Sequence, residues 1–568
     1  MSERLKENKK LMVEDETTYQ GAEPLRKKIW VGSVALLAGF AGLYFGSMAL
    51  FRLGVPMSPW HGIFFAASAL AASLSMKPGR GGWAIWLGCL VVTAAAAALA
   101  SPFHDFSWDG MGARQGMVEA LVGGGTPRFS PAPHVLSAWI VSLTGQINAG
   151  KAVNLLAAVA AFGTVFRFLW AVGLRVEWAW VGAAVAALNP VFVYQLSSYY
   201  IDGFTGSLLA CLVSAYGLVY LSPQKVKRWM FLGLVLSLVA SAKVSGLGYS
   251  MILGVGFFGA LLAKKGWTMP KILGIGAAFV GLALIALFSH LLERGETYNL
   301  SRLISVTDLK TPHFGVGGFS CAPVEAAGMS KIEVFVRSHF APTRTMSLYW
   351  DWKFPFWFNR PELSLFEDLN SDPRSGGFGP LYGGVFIFAF LAFLIALFRM
   401  TIPWVAWVPA LGILVSCLLS QTWWARWVPQ GWLVPMAFAV PVLTLRPMGL
   451  AGGLARASIA VGLLNSILIF AFYMSGCFQN QAVLTRQLAF LKNMPQPLNV
   501  YIPSFQSNET WLKEAGLRFK KIDQEPPMPR LKLQRTNSKV QLPSNWTNIP
   551  VSNQTLQEWQ RRELIETK

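Results

Sequence analysis

The sequence predicts an all-α integral membrane protein, a bundle of about 13 transmembrane helices with loops on its outer face and a small C-terminal extramembrane segment. The composition is the first reason. Of the 568 residues, 54% are hydrophobic and only 13% are charged, whereas a soluble domain carries about 25% charged residues. The second reason is a series of apolar runs near the roughly 20 residues that cross a bilayer as a helix.

These runs give the predicted spans in order along the chain. The first is read as a retained span because no small-residue cleavage site follows it. The basic N-terminus is residues 1–28, the membrane domain 29–476 and the C-terminal segment 477–568. The spans are Ile29–Leu50, Trp60–Met76, Trp83–Ala100, Ala149–Val172, Trp178–Leu196, Phe204–Leu221, Trp229–Ala242, Leu247–Ala263, Ile272–Ser289, Tyr382–Phe398, Ile402–Leu419, Trp432–Leu445 and Gly453–Tyr473.

The distribution of basic residues predicts the orientation. If the N-terminus is cytoplasmic, every even-numbered span ends in a cytoplasmic loop, and each such loop carries Lys or Arg, as the positive-inside rule requires. The net charge of +20 therefore belongs to these loops and does not indicate nucleic-acid binding. The loop residues are Lys77, Arg80, Arg175, Lys225, Lys227, Arg228, Lys264, Lys265, Arg399 and Arg446.

The same alternation places most unusual polar residues on the outer face. They lie in the loop 101–148, the turn Tyr199–Gly203, the long loop 290–381 and the turn Trp423–Gln430. The polar, partly Pro-rich C-terminal segment is also outside and is read as a small exposed domain with a loosely ordered tail. Among five Cys residues no metal-ligand spacing occurs. Cys321 and Cys477 are both outside, which leaves a disulfide between them open.

An acidic stretch, His104–Gly110, directly follows the third span. Asp105 and Asp109 lie there among aromatic residues. If the stretch is helical, a spacing of four puts both carboxylates on one face. Two acids so placed raise each other's proton affinity, which suits a general base or a metal ligand. An N-cap at Asp105 or Ser107 is the structural alternative.

Four cations near the predicted outer face each have a structural or a functional explanation. Arg114 follows Asp109 closely and is either a salt-bridge partner or a phosphate ligand, because guanidinium matches phosphate oxygens. Lys353 lies in an aromatic cluster that fits a membrane belt or a sugar site. Arg426 is explained equally well by snorkelling at a helix end. Lys243 lies at the end of a span, where cations are usually functional or paired.

The order of several motifs resembles polytopic bacterial glycosyltransferases of the GT-C superfamily. More distantly, the chain is similar to protein O-mannosyltransferases and to the transferase that adds aminoarabinose to lipid A. The resemblance runs from about residue 100 to 435. The motifs are Trp108-Asp109-Gly110 with Gln115, Asn148–Asn154, Asn189-Pro190, Tyr200–Gly203, Lys243 with Gly246-Leu247, Gly377–Leu381 and Trp424-Ala425-Arg426.

The resemblance implies transfer of a sugar from a polyprenyl-phosphate carrier to a glycan, lipid or protein acceptor on the non-cytoplasmic face of the inner (plasma) membrane. The N-terminus is then cytoplasmic and the C-terminus periplasmic. Asp109 corresponds to the base of an inverting displacement and Asp105 to a second carboxylate. Arg426, Arg114, Lys243 and Lys353 are candidates for the departing phosphate, and Trp108, Asp202, Gln115 and Phe378 for substrate binding. Some relatives place a divalent metal ion at the acidic pair.

Two departures from the family pattern are visible. Ala113-Arg114 stands where the family often has Tyr-His, and the acidic loop follows the third span instead of the first. Two alternatives stay open. A lipid or solute transporter would show inverted repeats and broken helices at the midplane. An O-antigen ligase or polymerase would use lipid-diphosphate-linked glycans and outer-loop histidines, such as His104, His134, His290, His313 and His339.

A single active site requires that Asp109 and Arg426 lie on the same side of the bundle. We expect them less than about 20 Å apart, because a carboxylate and a phosphate ligand must flank one reacting centre.

Overall fold

Seven helices in the described part of the chain are long and apolar enough to cross a membrane. The computed structural model describes residues 23–125, 132–264, 329–345, 351–399, 404–419, 422–445, 449–505 and 507–567, with 268–270, 273–277 and 281 besides. The seven are Pro24–Arg52, Arg80–Ala100, Ile147–Ala171, Asp202–Leu221, Ser245–Leu262, Tyr382–Arg399 and Leu450–Lys492. The predicted membrane bundle is therefore confirmed.

A helix lies at each of the other twelve predicted spans. Most of the predicted span Ile272–Ser289 falls outside the described residues, and the described residues 273–277 in it are helical. The helices in chain order are α1 (Glu23–Arg52), α2 (Gly62–Met76), α3 (Arg80–Ala100), α4 (Gln115–Val122), α5 (Ala132–Thr144), α6 (Ala152–Ala171), α7 (Val176–Ala187), α8 (Pro190–Val193), α9 (Asp202–Leu221), α10 (Val226–Ala242), α11 (Val244–Leu262), α12 (Lys331–His339), α13 (Arg360–Glu367), α14 (Tyr382–Arg399), α15 (Val408–Leu418), α16 (Leu433–Thr444) and α17 (Leu450–Lys492).

Close helix packing forms the membrane core. α1 packs along α2, α6 along α9, and α14 along α17. Small residues permit the first approach: a Cβ added to Gly42 would lie 2.0 Å from the Ser68 hydroxyl oxygen of α2. Membrane helices, which gain little hydrophobic energy from pairing in lipid, depend on such close backbone contact.

One predicted loop and one predicted span contain local structure that the sequence did not indicate. The predicted outer loop 101–148 contains α5, a buried apolar helix whose Trp139 stacks on Phe65 at 5.1 Å. The predicted span Trp178–Leu196 is not continuous, because α7 ends at Ala187. Pro190 cannot donate a helical hydrogen bond, and the Asn189 side chain accepts one from the Val191 amide at 2.9 Å, which starts the short α8.

The C-terminal segment was predicted to be a small exposed domain with a loosely ordered tail. Its described residues carry helix and strand up to Glu566, so they do not show the loose tail. α17 runs for 43 residues, about 65 Å at 1.5 Å per residue, and leads into a five-stranded sheet of order β2-β1-β4-β3-β5. β1 pairs in parallel with β2; its pairing with β4, and the pairings of β3 with β4 and β5, are antiparallel. The elements are β1 (Leu498–Tyr501), α18 (Ser507–Glu514), β2 (Phe519–Ile522), β3 (Arg530–Lys532), β4 (Lys539–Gln541), α19 (Asn553–Arg561) and β5 (Ile565–Glu566).

A separate core explains this order. Val500, Leu531, Val540 and Trp559 are fully buried between the sheet and its helices. The domain rests on the end of the bundle where the predicted outer loops lie. At the opposite end, Lys227 donates to the Ser75 carbonyl at 2.6 Å, joining two predicted cytoplasmic loops. Which end faces the cytoplasm stays a prediction.

Candidate functional site

Arg426 lies at the centre of a cluster of charged side chains at the outer-loop end of the bundle. It belongs to a tight turn closed by a hydrogen bond from the Trp427 amide to the Trp424 carbonyl at 2.9 Å. α12 fixes this turn, since His339 bonds to the Thr422 carbonyl at 2.9 Å. Arg426 is thus presented from a rigid loop.

Three carboxylates from separate segments surround the guanidinium. Arg426 Nη2 lies 2.9 Å from Asp109 Oδ2, Nε lies 3.6 Å from Asp202 Oδ2, and Nη1 lies 3.4 Å from Asp372 Oδ2. Asp109 comes from the loop after α3, Asp202 begins α9, and Asp372 precedes α14. The expectation that Asp109 and Arg426 lie together is confirmed.

Further cations and aromatic rings complete the cluster. Lys243, between α10 and α11, pairs with Asp202 Oδ1 at 2.5 Å and lies 4.2 Å from the centre of the Trp427 ring. The Arg426 guanidinium lies 4.8 Å from the Tyr200 ring and 4.9 Å from the Trp424 ring. These aromatic rings exclude water from the two cations, and the lower local dielectric strengthens the charge interactions within the cluster.

The carboxylates differ in how open they are. The side chain of Asp109 is 36% exposed, against 5% for Asp202 and 21% for Asp372. Burial raises the pKa of Asp372 to about 6, although Arg426, Arg374 and the Trp424 indole lower it. Burial disfavours the charge on Arg426, but Asp202, Asp372 and Asp109 outweigh this and raise its pKa above its ordinary value. Arg426 is therefore always charged.

Arg114 is a further cation close enough to act on the charges of the cluster. It is half-buried at the end of the π-helical turn Gly110–Arg114. Its charge acts on both Asp202 and Lys243. With the residues that the structure describes, it forms no hydrogen bond or ion pair of its own, so its planar face is available to an anion.

Asp105 is buried beneath the loop that carries Asp109. Its Oδ1 accepts from the Ser107 amide at 2.8 Å and from the Ser107 hydroxyl at 2.5 Å, and its Oδ2 accepts from the Tyr199 amide at 2.7 Å. Residues 103–107 are not helical, so the two acids do not share a helix face as the spacing suggested. Burial raises the pKa of Asp105. Its hydrogen bonds fix the loop, a structural role similar to the N-cap that the sequence analysis gave as the alternative.

The pair Asp105–Asp109 does not fit a metal ion. Both Asp105 oxygens already accept hydrogen bonds from the protein, and Arg426 fills the space that Asp109 faces. Among the described residues, no group of three His, Cys, Asp or Glu side chains has the arrangement of a metal site. No step is therefore derived through a metal at this pair.

Lys353 is not part of the cluster, which corrects its assignment as a phosphate ligand. It pairs with the buried Glu362 at 2.6 Å and donates to the Pro380 carbonyl at 2.8 Å. Glu362 also accepts from the Thr343 amide at 2.9 Å. This ion pair ties the second half of the long loop to the turn before α14.

Replacing Glu362 by Gln should strongly destabilise the protein. The change leaves the Lys353 charge buried without its partner, which costs about 3–5 kcal/mol of unfolding free energy. The matched control is Glu333→Gln, which breaks the part-exposed pair with Arg337 at 3.0 Å and costs less than about 1 kcal/mol. Thermal unfolding in detergent compares the two; equal losses would contradict the assignment.

The predicted substrate-binding residues take different positions. Phe378 is fully buried, 4.8 Å from the rings of both His339 and Tyr382, so it packs the turn and does not face the cluster. Gln115 is buried and donates to Glu119 at 2.8 Å. Asp202 belongs to the cluster. Trp108 is 67% exposed and free to contact a ligand.

The glycines before α14 allow two segments of the site to approach closely. A Cβ on Gly377 would lie 2.7 Å from the Ala425 Cβ, too near for any other residue. This contact sets the segment containing Asp372 beside the turn containing Arg426. Gly377 therefore helps to assemble the cluster.

The C-terminal domain reaches the acidic loop directly. Phe505 packs edge-on against Trp108 at 4.9 Å, and Trp511 packs against His104 at 4.8 Å. Thr510 donates to Glu119 at 2.7 Å, and Glu514 accepts from the Ile147 amide at 2.8 Å. The domain thereby holds both ends of the loop that positions Asp109.

The described histidines of the outer loops, His104, His134 and His339, do not form an exposed catalytic group. Burial lowers the pKa of His104 and His339 to about 4, and His134 is buried in α5. His290 and His313 lie outside the described residues, as does Cys321. Cys477 is a buried free thiol 3.3 Å from the Ser197 hydroxyl.

Sequence reasoning missed Asp372, Arg374 and Tyr200 as parts of the site. Arg374 lies 3.7 Å from Asp372 and 4.8 Å from the Trp424 ring. Asp372 is one acid of several in the long loop; its place just before the glycine-rich turn was its only distinguishing signal. Tyr200 stood inside a motif, but no pattern indicated that its ring covers Arg426.

Comparison with known proteins gives structural matches only. Two structures of ArnT from Cupriavidus metallidurans align with this chain. The one bound to undecaprenyl phosphate has 11% identity, covers 79% of this chain and 87% of that one, and gives a TM-score of 0.42. The apo form has 13% identity, 77% and 86% coverage, and a TM-score of 0.39. No family model and no curated protein matches the chain.

A third match is the oligosaccharyltransferase AglB from Archaeoglobus fulgidus, in complex with an inhibitory peptide and a dolichol-phosphate. It has 13% identity, covers 79% of this chain and 60% of that one, and gives a TM-score of 0.35. The chemistry of the site is interpreted below from its own geometry.

Proposed function

We propose that this protein is a membrane glycosyltransferase that moves a sugar from a polyprenyl-phosphate donor to an acceptor on the non-cytoplasmic face, with inversion at the anomeric carbon. One observation carries the proposal: the open carboxylate of Asp109 lies 2.9 Å from the buried Arg426 at one end of a membrane helix bundle. A base and a phosphate-binding cation then flank one reacting centre.

Asp109 is the proposed base because it is the most open of the three carboxylates. It takes the proton of an acceptor hydroxyl or amine while that atom forms a bond to the anomeric carbon. The bond from this carbon to the phosphate oxygen breaks, and its electron pair leaves with the lipid phosphate. Proton transfer of this kind contributes about 10²–10⁴-fold to the rate.

Arg426 and Arg114 are proposed to bind the departing phosphate. Arg426 is held in place before the donor arrives, so it stabilises the developing charge without reorganisation. Arg114 adds a second guanidinium, whose fork matches phosphate oxygens. Lys243, paired with Asp202 at 2.5 Å, adds positive charge near the bound phosphate.

Trp108 and Asp105 complete the proposal. Trp108 offers its exposed indole to a sugar ring, with Phe505 of the C-terminal domain fixing its edge. Asp105 is assigned to positioning, because its hydrogen bonds to Ser107 and Tyr199 fix the loop beneath Asp109. The acceptor class and the identity of the sugar follow from the experiment below.

The test is sugar transfer by purified full-length protein in liposomes. A panel of polyprenyl-phosphate monosaccharides is compared with polyprenyl-diphosphate-linked glycans. Release of free polyprenyl phosphate is followed for the first class of donor and release of polyprenyl diphosphate for the second. We expect release from at least one monophosphate donor and an inverted linkage in the product. Release from diphosphate donors alone would favour a ligase or polymerase. No release from folded protein with any donor would favour a transporter.

Donor binding is predicted to strengthen as the pH falls through about 6. Because burial raises the pKa of Asp372 to about 6, this carboxyl is charged at pH 7.5 and largely neutral at pH 5. Its neutralisation removes one anion 3.4 Å from Arg426, an interaction worth roughly 1–4 kcal/mol. We expect at least about fivefold tighter binding of a polyprenyl phosphodiester at pH 5.

The phosphodiester is chosen because its own charge does not change in this range, unlike that of a phosphate monoester. The Asp372→Asn variant should bind tightly at both pH values. A pH dependence that persists unchanged in this variant would show that another group is responsible.

A further inference from the structure

A large cavity lies at the opposite end of the bundle from Arg426. Its volume is about 1180 Å³, and it lies among α6, α9, α11 and α16. Ligand pockets usually measure roughly 300–1,000 Å³, so this one has room for an extended molecule. Its wall is mainly apolar, with Leu253, Phe257, Met436 and Val440 among the lining residues.

The cavity is distinct from the proposed active site. On α9 the lining begins at Ala210 and continues to Leu221, whereas Asp202 of the charged cluster begins that helix. Gly217, in the lining, is 15 residues beyond Asp202, which is about 22 Å along a helix. The two sites therefore open toward opposite ends of the bundle.

Arginines line one end of this otherwise apolar cavity. They are Arg26, Arg167, Arg175 and Arg228, and the described lining contains no Asp or Glu. Arg26 and Arg167 each lie 4.9 Å from the centre of the Trp170 ring. Glu177 lies beside the lining and pairs with Arg175 at 3.5 Å. Among the described side chains at this end of the cavity, arginines therefore outnumber acidic residues.

We propose that this cavity binds an anionic phospholipid, with an acyl chain between the helices and the phosphate at the arginines. Charge complementarity selects this occupant. An apolar molecule would not use the cationic end, and a soluble anion would not use the apolar wall. Guanidinium groups match phosphate oxygens in a planar, bidentate manner. In the predicted topology this end faces the cytoplasm, where anionic lipids attract basic residues.

Native mass spectrometry of the full-length protein tests the proposal. Phosphatidylglycerol and phosphatidylcholine with identical acyl chains are titrated separately, and the retained lipid is measured. We expect phosphatidylglycerol to bind at least about tenfold more tightly. The double variant Arg26→Gln/Arg167→Gln should lose this preference. Arg175→Gln, an exposed and structurally milder change, should reduce it.

Two variants separate charge from shape. Arg456→Gln removes an exposed arginine near the start of α17 that does not line the cavity, and it should leave the preference unchanged. Val213→Trp fills the cavity and should reduce the binding of both lipids. Inorganic phosphate, added as a competitor, should not displace phosphatidylglycerol.

Three results would overturn the proposal. Equal binding of the two lipids would mean that the cavity holds bulk lipid without headgroup selection. Displacement by inorganic phosphate would indicate a soluble anion as the ligand. Binding of neither lipid by folded protein would mean that another occupant, such as the chain's own apolar segment 272–289, fills the space.

Discussion

Asp109→Asn is expected to lower the rate of sugar transfer by about 10²–10⁴-fold, the usual contribution of a general base. The amide keeps the shape of the carboxylate but cannot take the acceptor proton. Because the Asp109 side chain is 36% exposed, its ion pair with Arg426 adds little to stability, and the melting temperature should change little. The turnover number should fall, with only a small change in KM for the donor.

The matched control is Asp351→Asn. Asp351 is an exposed aspartate in the long outer loop and pairs with Arg344 at 3.1 Å, so the change removes the same charge away from the cluster. We expect full activity from it. If Asp109→Asn kept more than a tenth of the wild-type turnover number, Asp109 would not be the base.

The location of the cluster could be predicted because charge placement follows simple physics. Basic loops fixed the alternation of the spans, and the alternation placed Asp109, Asp202, Lys243 and Arg426 at one end. Polar residues in a chain this apolar are costly unless they are paired or functional. The contacts of these side chains around Arg426, by contrast, depend on how distant loops pack together. A single sequence does not show that packing.

The predictions for Lys353 and for the pair Asp105–Asp109 were wrong because the same sequence pattern can arise from two different structures. Lys353 and Lys243 both lie among aromatic residues near the membrane, yet Lys353 is held by Glu362 and only Lys243 reaches the cluster. A spacing of four suggested a shared face for Asp105 and Asp109, but that argument assumed a helix. The chain there turns instead, with Asp105 bonded to the Tyr199 amide.

The C-terminal sheet could not be predicted from periodicity. Its strands are two to four residues long, too short for an alternating pattern to stand out. Pairing also joins distant residues: Val500 of β1 lies opposite Val540 of β4. Proline-rich connections made the segment resemble a loose tail, although its buried core is well defined.

Arg426→Gln is expected to abolish transfer and to destabilise the protein. The phosphate loses its main preorganised donor, a loss worth about 10²–10³-fold in rate by analogy with an oxyanion-hole donor. Two largely buried carboxylates, Asp202 and Asp372, lose a partner at 3.6 and 3.4 Å, and breaking a buried ion pair costs about 3–5 kcal/mol. Inactivity alone would therefore not separate a chemical role from a structural one.

The double variant Arg426→Gln/Asp372→Asn separates these roles. Neutralising Asp372 removes a buried charge that Arg426 no longer balances, so the melting temperature should recover in part, while Asp202 keeps Lys243 at 2.5 Å. Transfer should stay at the level of the single variant, because the phosphate still lacks the guanidinium of Arg426. Asp372→Asn alone is the control and should remain active. If the double variant regained both stability and transfer, Arg426 would serve the fold and not the reaction.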